Sequence, residues 1–144
     1  MATLNGTVVL FGGSYSDSST SYTLVDTYAW NGLLWTNLNV VGPASAGKMA
    51  TLNGKIVMSR SSAQATWTWD GAAWVNPSVT SPPSRSSYSM ADAGQTVLLF
   101  GGDGGLFSNY LDDTWLWDGT GAAWVQSSGG GPPGRFSSAM ATLQ

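Results

Sequence analysis

A short string near the start of the chain recurs along it, and this recurrence constrains the fold more than any other feature. Met1-Ala2-Thr3-Leu4-Asn5-Gly6-Thr7-Val8-Val9 returns as Met49-Ala50-Thr51-Leu52-Asn53-Gly54-Lys55-Ile56-Val57, and more loosely as Met90-Ala91-Asp92-Ala93-Gly94-Gln95-Thr96-Val97-Leu98. Its opening residues come back once more as Met140-Ala141-Thr142-Leu143, so the spacings are 48, 41 and 50 residues. A repeat of roughly 40–50 residues means that each unit is a supersecondary module burying its apolar face only against a neighbour.

Each unit reads as four short strands, A to D. In the third, strand A lies around Tyr88 to Ala93 and strand B over Thr96 to Phe100, ended by Gly101-Gly102. Strand C covers Asp113 to Trp117 and strand D Ala123 to Gln126. β-Branched and aromatic residues suit such pleated, packed segments. Asn-Gly and Asp-Gly supply the positive φ of two-residue hairpin turns. They recur in register, as Asn5-Gly6 and Asn53-Gly54 between A and B, and as Asn31-Gly32, Asp70-Gly71 and Asp118-Gly119 between C and D. Period-two alternation puts Tyr28 with Trp30, Trp67 with Trp69, and Trp115 with Trp117 on one face of each strand C, while the other face is small and uncharged. Strand D adds Trp35, Trp74 and Trp124. A sheet apolar on both faces is one stacked between others, so the aromatic set reads as inter-sheet core, with sugar stacking open only to a ring that stays exposed.

Composition removes whole classes of function. The chain has no Cys and no His, hence no disulfide, no ordinary zinc site and no His- or Cys-based nucleophile. All eight acids are Asp, and with only five Lys and Arg together the residues that solvate helix faces are missing. A net charge of -3 argues against nucleic acid and anionic membrane as partners. Neither a basic, apolar leader nor a run long enough to span a bilayer is present, so a soluble protein is expected, with no compartment assigned.

The di-glycines Gly12-Gly13 and Gly101-Gly102, the aromatic ending strand C, the Trp of strand D, and Arg85 and Arg135 ahead of strand A together resemble the Kelch-repeat family. The flavour is that of bacterial and galactose-oxidase-type blades, and the likeness spans essentially the whole chain. It implies an all-β propeller of four-stranded blades: blade 1 about 1–42, blade 2 about 43–83, blade 3 about 84–133, and an extra strand A over 134–144. The second unit departs, with Ser59-Arg60 in place of the di-glycine and no Arg before strand A. The copper site of galactose oxidase needs His and Cys, so that chemistry does not carry over. Neither a cofactor nor a metal is expected, and the chain is not expected to be an enzyme.

Three blades do not close a ring, since propellers have about 4–8. Two copies would make six, so a two-fold homodimer is expected, whether the chain is a fragment or an engineered or reconstructed piece of a longer propeller. The tail supplies a strand A without a following blade. The assembly residues are therefore Met1, Ala2, Thr3 and Leu4 at one end, and Phe136, Met140, Ala141, Thr142 and Leu143 at the other. The two Met-Ala-Thr-Leu copies compete for one slot, and the sequence leaves open which fills it.

No catalytic constellation stands out. Asp26 and Asp113 open strand C, while Asp70 and Asp118 belong to turns. Asp103 near Asp112-Asp113 lacks the spacing of a calcium loop. Gly129 to Gly134 lacks the Lys-Ser/Thr of a phosphate loop and reads as a linker. The remaining candidates for ligand binding lie in the B–C loops: Tyr15 and Tyr22 in the first, Asp103, Phe107 and Tyr110 in the third. Their composition suits adaptable recognition of a glycan or a protein, and equally suits local packing. Arg85 and Arg135 either hold backbone carbonyls and an Asp or form an anion-binding ring at a channel mouth.

Overall fold

The computed structural model describes residues 1–60, 65–105 and 109–142. Phe107 and Leu143 lie outside the described residues. The protein is all-β, with three four-stranded antiparallel sheets and no helix among the described residues. The first sheet is β1 (Ala2–Leu4), β2 (Thr7–Ser16), β3 (Ser21–Trp30) and β4 (Trp35–Asn37). The second is β5 (Lys48–Leu52), β6 (Lys55–Arg60), β7 (Ala65–Trp69) and β8 (Trp74–Val75). The third is β9 (Ser89–Asp92), β10 (Val97–Asp103), β11 (Tyr110–Trp117) and β12 (Val125–Gln126). Within each sheet the strands pair in chain order. The short strands β1, β5 and β9 lie next to one another, an arrangement compatible with propeller-like blades.

The first two A–B turns are the two-residue hairpins that the sequence implies, whereas in the third Asp92 pairs with Val97 across four residues. Leu4 pairs with Thr7 and Leu52 with Lys55, and Asn5 and Asn53 both take positive φ, at 50° and 49°. The C–D turns differ. Trp30 pairs with Trp35 and Trp69 with Trp74, which leaves four residues in each loop. The Oδ1 of Asn31 and of Asp70 accepts two backbone N–H groups in its loop, and only the following glycine is left-handed. These are Asx turns: a short side-chain acceptor folds the loop where a mirror-image turn was expected.

The di-glycines do not end strand B. They form bulges inside it, where register shifts between Phe11 and Gly13 and between Phe100 and Gly102. Gly12 and Gly101 have φ of 62° and 64°, and a Cβ there would lie 2.9 Å from Leu24 O and 2.7 Å from Arg135 O. Only glycine combines that backbone with that approach. The first hairpin therefore continues past the bulge to the pair Ser16–Ser21, so Tyr15 and Tyr22 lie on strands and not in a loop.

Alternation splits each sheet into two apolar faces. Leu4, Val9 and Phe11 of the first sheet pack on Met49, Ile56, Met58, Trp69 and Trp74 of the second. Ala50, Leu52 and Val57, from the opposite face of the second, pack on Met90, Val97, Leu99, Trp117 and Trp124 of the third. In both interfaces a largely aliphatic face meets the tryptophan-bearing face of the following sheet, with Phe11 added in the first.

Candidate functional site

The same alternation leaves two faces without a neighbouring sheet among the described residues. On the first sheet, register places Val8, Leu10, Tyr28, Trp30 and Trp35 together. They correspond to the aromatic faces buried in the other two sheets. Trp35 is 44% exposed, whereas its counterparts Trp74 and Trp124 are 8% and 4% exposed. The arrangement is nonetheless already built. Trp30 and Trp35 have ring centroids 5.4 Å apart at 43°, and the buried pair Trp69–Trp74 has 5.4 Å at 40°. On the third sheet the outward face carries Ala91, Leu98, Leu116 and Thr114, with Phe100 on the same side already buried. Leu98 and Leu116 are only half-buried.

Each internal interface also contains a Trp–Thr lock. Trp74 Nε1 donates to Thr27 Oγ1 at 3.0 Å, and Trp124 Nε1 donates to Thr66 Oγ1 at 2.8 Å. Thr27, Thr66 and Thr114 occupy equivalent register positions, opposite Phe11, Ser59 and Phe100. Trp35 and Thr114 occupy the positions equivalent to the donor and the acceptor of these locks, at opposite ends of the described array.

Arg85 is a structural group. It is 4% exposed and donates to Pro83 O, to Gly101 O and to both carboxylate oxygens of Asp113 (Nη2 to Oδ2, 2.8 Å). Burial pushes the Asp113 pKa up, but hydrogen bonds from Arg85 and from Trp115 Nε1, with the Arg85 charge, outweigh this and hold it below the usual carboxylate value. Of the two roles open to Arg85 in the sequence, the structure shows carbonyl and Asp binding. Arg135 repeats one element of this, donating from Nε to Pro133 O at 3.0 Å. Neither Arg135 nor Asp26 takes part in an ion pair among the described residues.

The segment 134–142 forms no strand, but it lies where the inner strand of a following sheet would lie. Thr142 Oγ1 donates to Asp92 O at 2.7 Å, repeating the bond from Thr51 Oγ1 to Thr3 O. Ser89 Oγ reaches Ser138, Ser137 N donates to Ser87 O at 2.7 Å, and Gly102 N donates to Arg135 O at 2.9 Å. The inner strands and this segment line an open cavity of about 510 Å³, bordered by Thr3, Thr51, Thr142 and Asp92 with the adjoining Ala and Met side chains.

The predicted loop residues form two exposed ring pairs. Tyr15 stacks on Tyr22 across the hairpin, with centroids 4.7 Å apart at 16°. Tyr110 stacks on Phe136 of the tail, at 4.9 Å and 24°. Asp103 Oδ1 is engaged by Gly105 N at 2.8 Å. Sequence reasoning missed the Trp–Thr locks. The signal was present in the recurrence of Thr27, Thr66 and Thr114 three places before the tryptophan that closes each strand C, but a hydroxyl among tryptophans does not announce its acceptor role.

No protein-family model matches the chain, and no curated protein does either.

Proposed function

We propose that this protein is a self-assembling half-propeller of Kelch type, with no catalysis of its own, whose partner is a second copy of itself. Two chains related by a two-fold axis make a six-bladed ring. The supporting observation is the pair of uncovered faces: each is one half of an interface that the chain already makes twice internally. The aromatic face keeps the Trp30–Trp35 geometry of a buried pair while Trp35 stands exposed. Joining it to the Leu98 face of another copy adds the third Trp–Thr bond and buries apolar area at about 25 cal/mol per Å². A ring removes both open faces at once, which is why two such contacts form together.

The test is a charge at the centre of the aliphatic face. Leu98→Arg is expected to be a folded monomer of 15.0 kDa under conditions where the parent sediments at twice that mass. A variant that dimerises like its parent would remove this reading.

A second reading rests on a separate observation, the exposed ring pairs Tyr15–Tyr22 and Tyr110–Phe136. Stacked, accessible tyrosines suit glycan or protein capture at the B–C end. Saturable hits on a glycan array, lost in Tyr15→Ala, would support it; binding unchanged in Tyr15→Ala and Tyr110→Ala would sink it.

A further inference from the structure

We infer that Arg135 is one half of an intersubunit ion pair whose other half is Asp26 of the partner subunit, and that the tail carrying it completes the partner's first sheet. The inference rests on the dimer proposed above and adds the polar closure to it.

The third sheet supplies the pattern. Arg85 lies ahead of β9, binds Pro83 O through Nε, and reaches across its own sheet to Gly101 O at the bulge and to Asp113 at the start of the strand-C core. Arg135 lies one repeat further on, five residues before Met140 as Arg85 is five before Met90, and makes the same Nε bond to the proline two residues back. The carboxylate and the bulge carbonyl that it would meet belong to the sheet following the third. In the dimer that is the partner's first sheet. There the counterparts of Gly101 and Asp113 are Gly12 and Asp26, since Phe11 pairs with Thr27 as Phe100 pairs with Thr114. Asp26 is half-buried with no ion pair, and Arg135 is an exposed guanidinium held by a single carbonyl among the described residues. Each lacks what the other offers. Arginine favours this geometry because its planar fork binds a carboxylate through two parallel N–H groups.

The tail is already placed for it. Its contacts to Asp92 and Ser87 put it in the inner-strand position beyond β9. That position is the one β1 of the docked copy would take. Met140-Ala141-Thr142-Leu143 is identical to Met1-Ala2-Thr3-Leu4, so replacing β1 by the tail exchanges side chains like for like and adds the Arg135 pair.

The test exploits the two-fold symmetry. Arg135→Asp alone sets Asp against Asp26 at both contacts of the ring, and Asp26→Arg alone sets Arg against Arg135. Each is expected to raise the dimer dissociation constant about a hundredfold or more. Mixing the two variants in equal amounts should restore dimers, because the mixed dimer holds one native and one reversed pair. An intrachain role would not be rescued by mixing. If the parent dimerises and either single variant dimerises equally well, or if mixing restores nothing, the ion pair is refuted while the dimer stands. A monomeric parent refutes both. Should a reversal fail to fold, Arg135→Gln mixed with Asp26→Asn should recover part of the affinity that each loses alone, and no recovery refutes the pair.

The slot has its own readout. The chain has no cysteine, and Ala2 faces Val9 in register. Ala141→Cys with Val9→Cys should therefore give a covalent dimer on oxidation. Disulfide closure within single chains of Ala2→Cys with Val9→Cys in the dimer, without crosslinking of the first pair, would show that β1 keeps its place.

Discussion

Replacing Thr27 by Val removes one hydroxyl at the heart of the first internal interface and keeps the shape of the side chain. Thr27 is fully buried, and its Oγ1 is the acceptor for Trp74 Nε1 at 3.0 Å. In Thr27→Val the indole N–H remains buried among Phe11, Trp69 and Met58 without an acceptor. An orphaned buried donor costs about 1–3 kcal/mol. With a urea dependence of about 2 kcal/mol per M for a small domain, a loss of about 2 kcal/mol lowers the unfolding midpoint by about 1 M. Trp74→Phe removes the donor at the cost of ring area, so in the double variant the two losses should not add, with a coupling of about 1 kcal/mol. The assay is urea unfolding followed by tryptophan fluorescence at one fixed protein concentration. Thr114→Val makes the same chemical change on the open face. It should leave the unfolding of the dilute, dissociated chain within about 0.5 kcal/mol and weaken dimerisation instead. A Thr27→Val midpoint within error of the parent, or zero coupling to Trp74→Phe, would refute the lock.

Three further outcomes follow from the same contacts. Asp113→Asn leaves the nearly inaccessible Arg85 guanidinium without its counter-charge, and should cost about 3–5 kcal/mol by urea unfolding; a loss under 1 kcal/mol, roughly that of an exposed pair, would contradict the buried pairing. Among the described residues Trp67 Nε1 is buried without a partner, and Ala65 stands where Asp113 serves Trp115. Trp67→Phe should therefore cost less stability than Trp74→Phe, and an equal or larger loss would show that the indole N–H is satisfied. In acid, Asp17, Asp70 and Asp118 are held below 3.8 by backbone N–H donors of their turns, and Asp113 by Arg85 and Trp115 against its burial. Depressed folded-state values mean stability that is present above the unfolded pKa and lost as pH falls through the folded values. The melting temperature should hold from pH 7 to about 5 and drop below about pH 4; a flat profile down to pH 2 would contradict this.

Much of the fold was legible because the repeats align chemically equivalent residues. Strand number, the A–B turns at Asn5-Gly6 and Asn53-Gly54, and the pairing of strand C and D tryptophans all follow from local period and turn chemistry. The errors fall where one residue type serves two geometries. Gly12-Gly13 reads as a strand end, but the same positive φ builds a bulge and lets the hairpin run on to Ser16. Asn31 and Asp70 read as mirror-image turn residues, but their side chains fold a four-residue loop. The Ser- and Tyr-rich stretch around Tyr15 and Tyr22 has the composition of a loop, yet its hydrogen bonds are those of a hairpin. The candidate site was less legible. The partners of Arg85 and Trp124 lie 28 and 58 residues away, and only the register of neighbouring strands brings Asp113 and Thr66 to them.

Multi-angle light scattering across a size-exclusion peak measures the central claim directly. The account predicts a mass twice 15.0 kDa at micromolar concentration, falling toward 15.0 kDa on dilution and in Leu98→Arg. A well-folded parent that stays at 15.0 kDa at every concentration would contradict it.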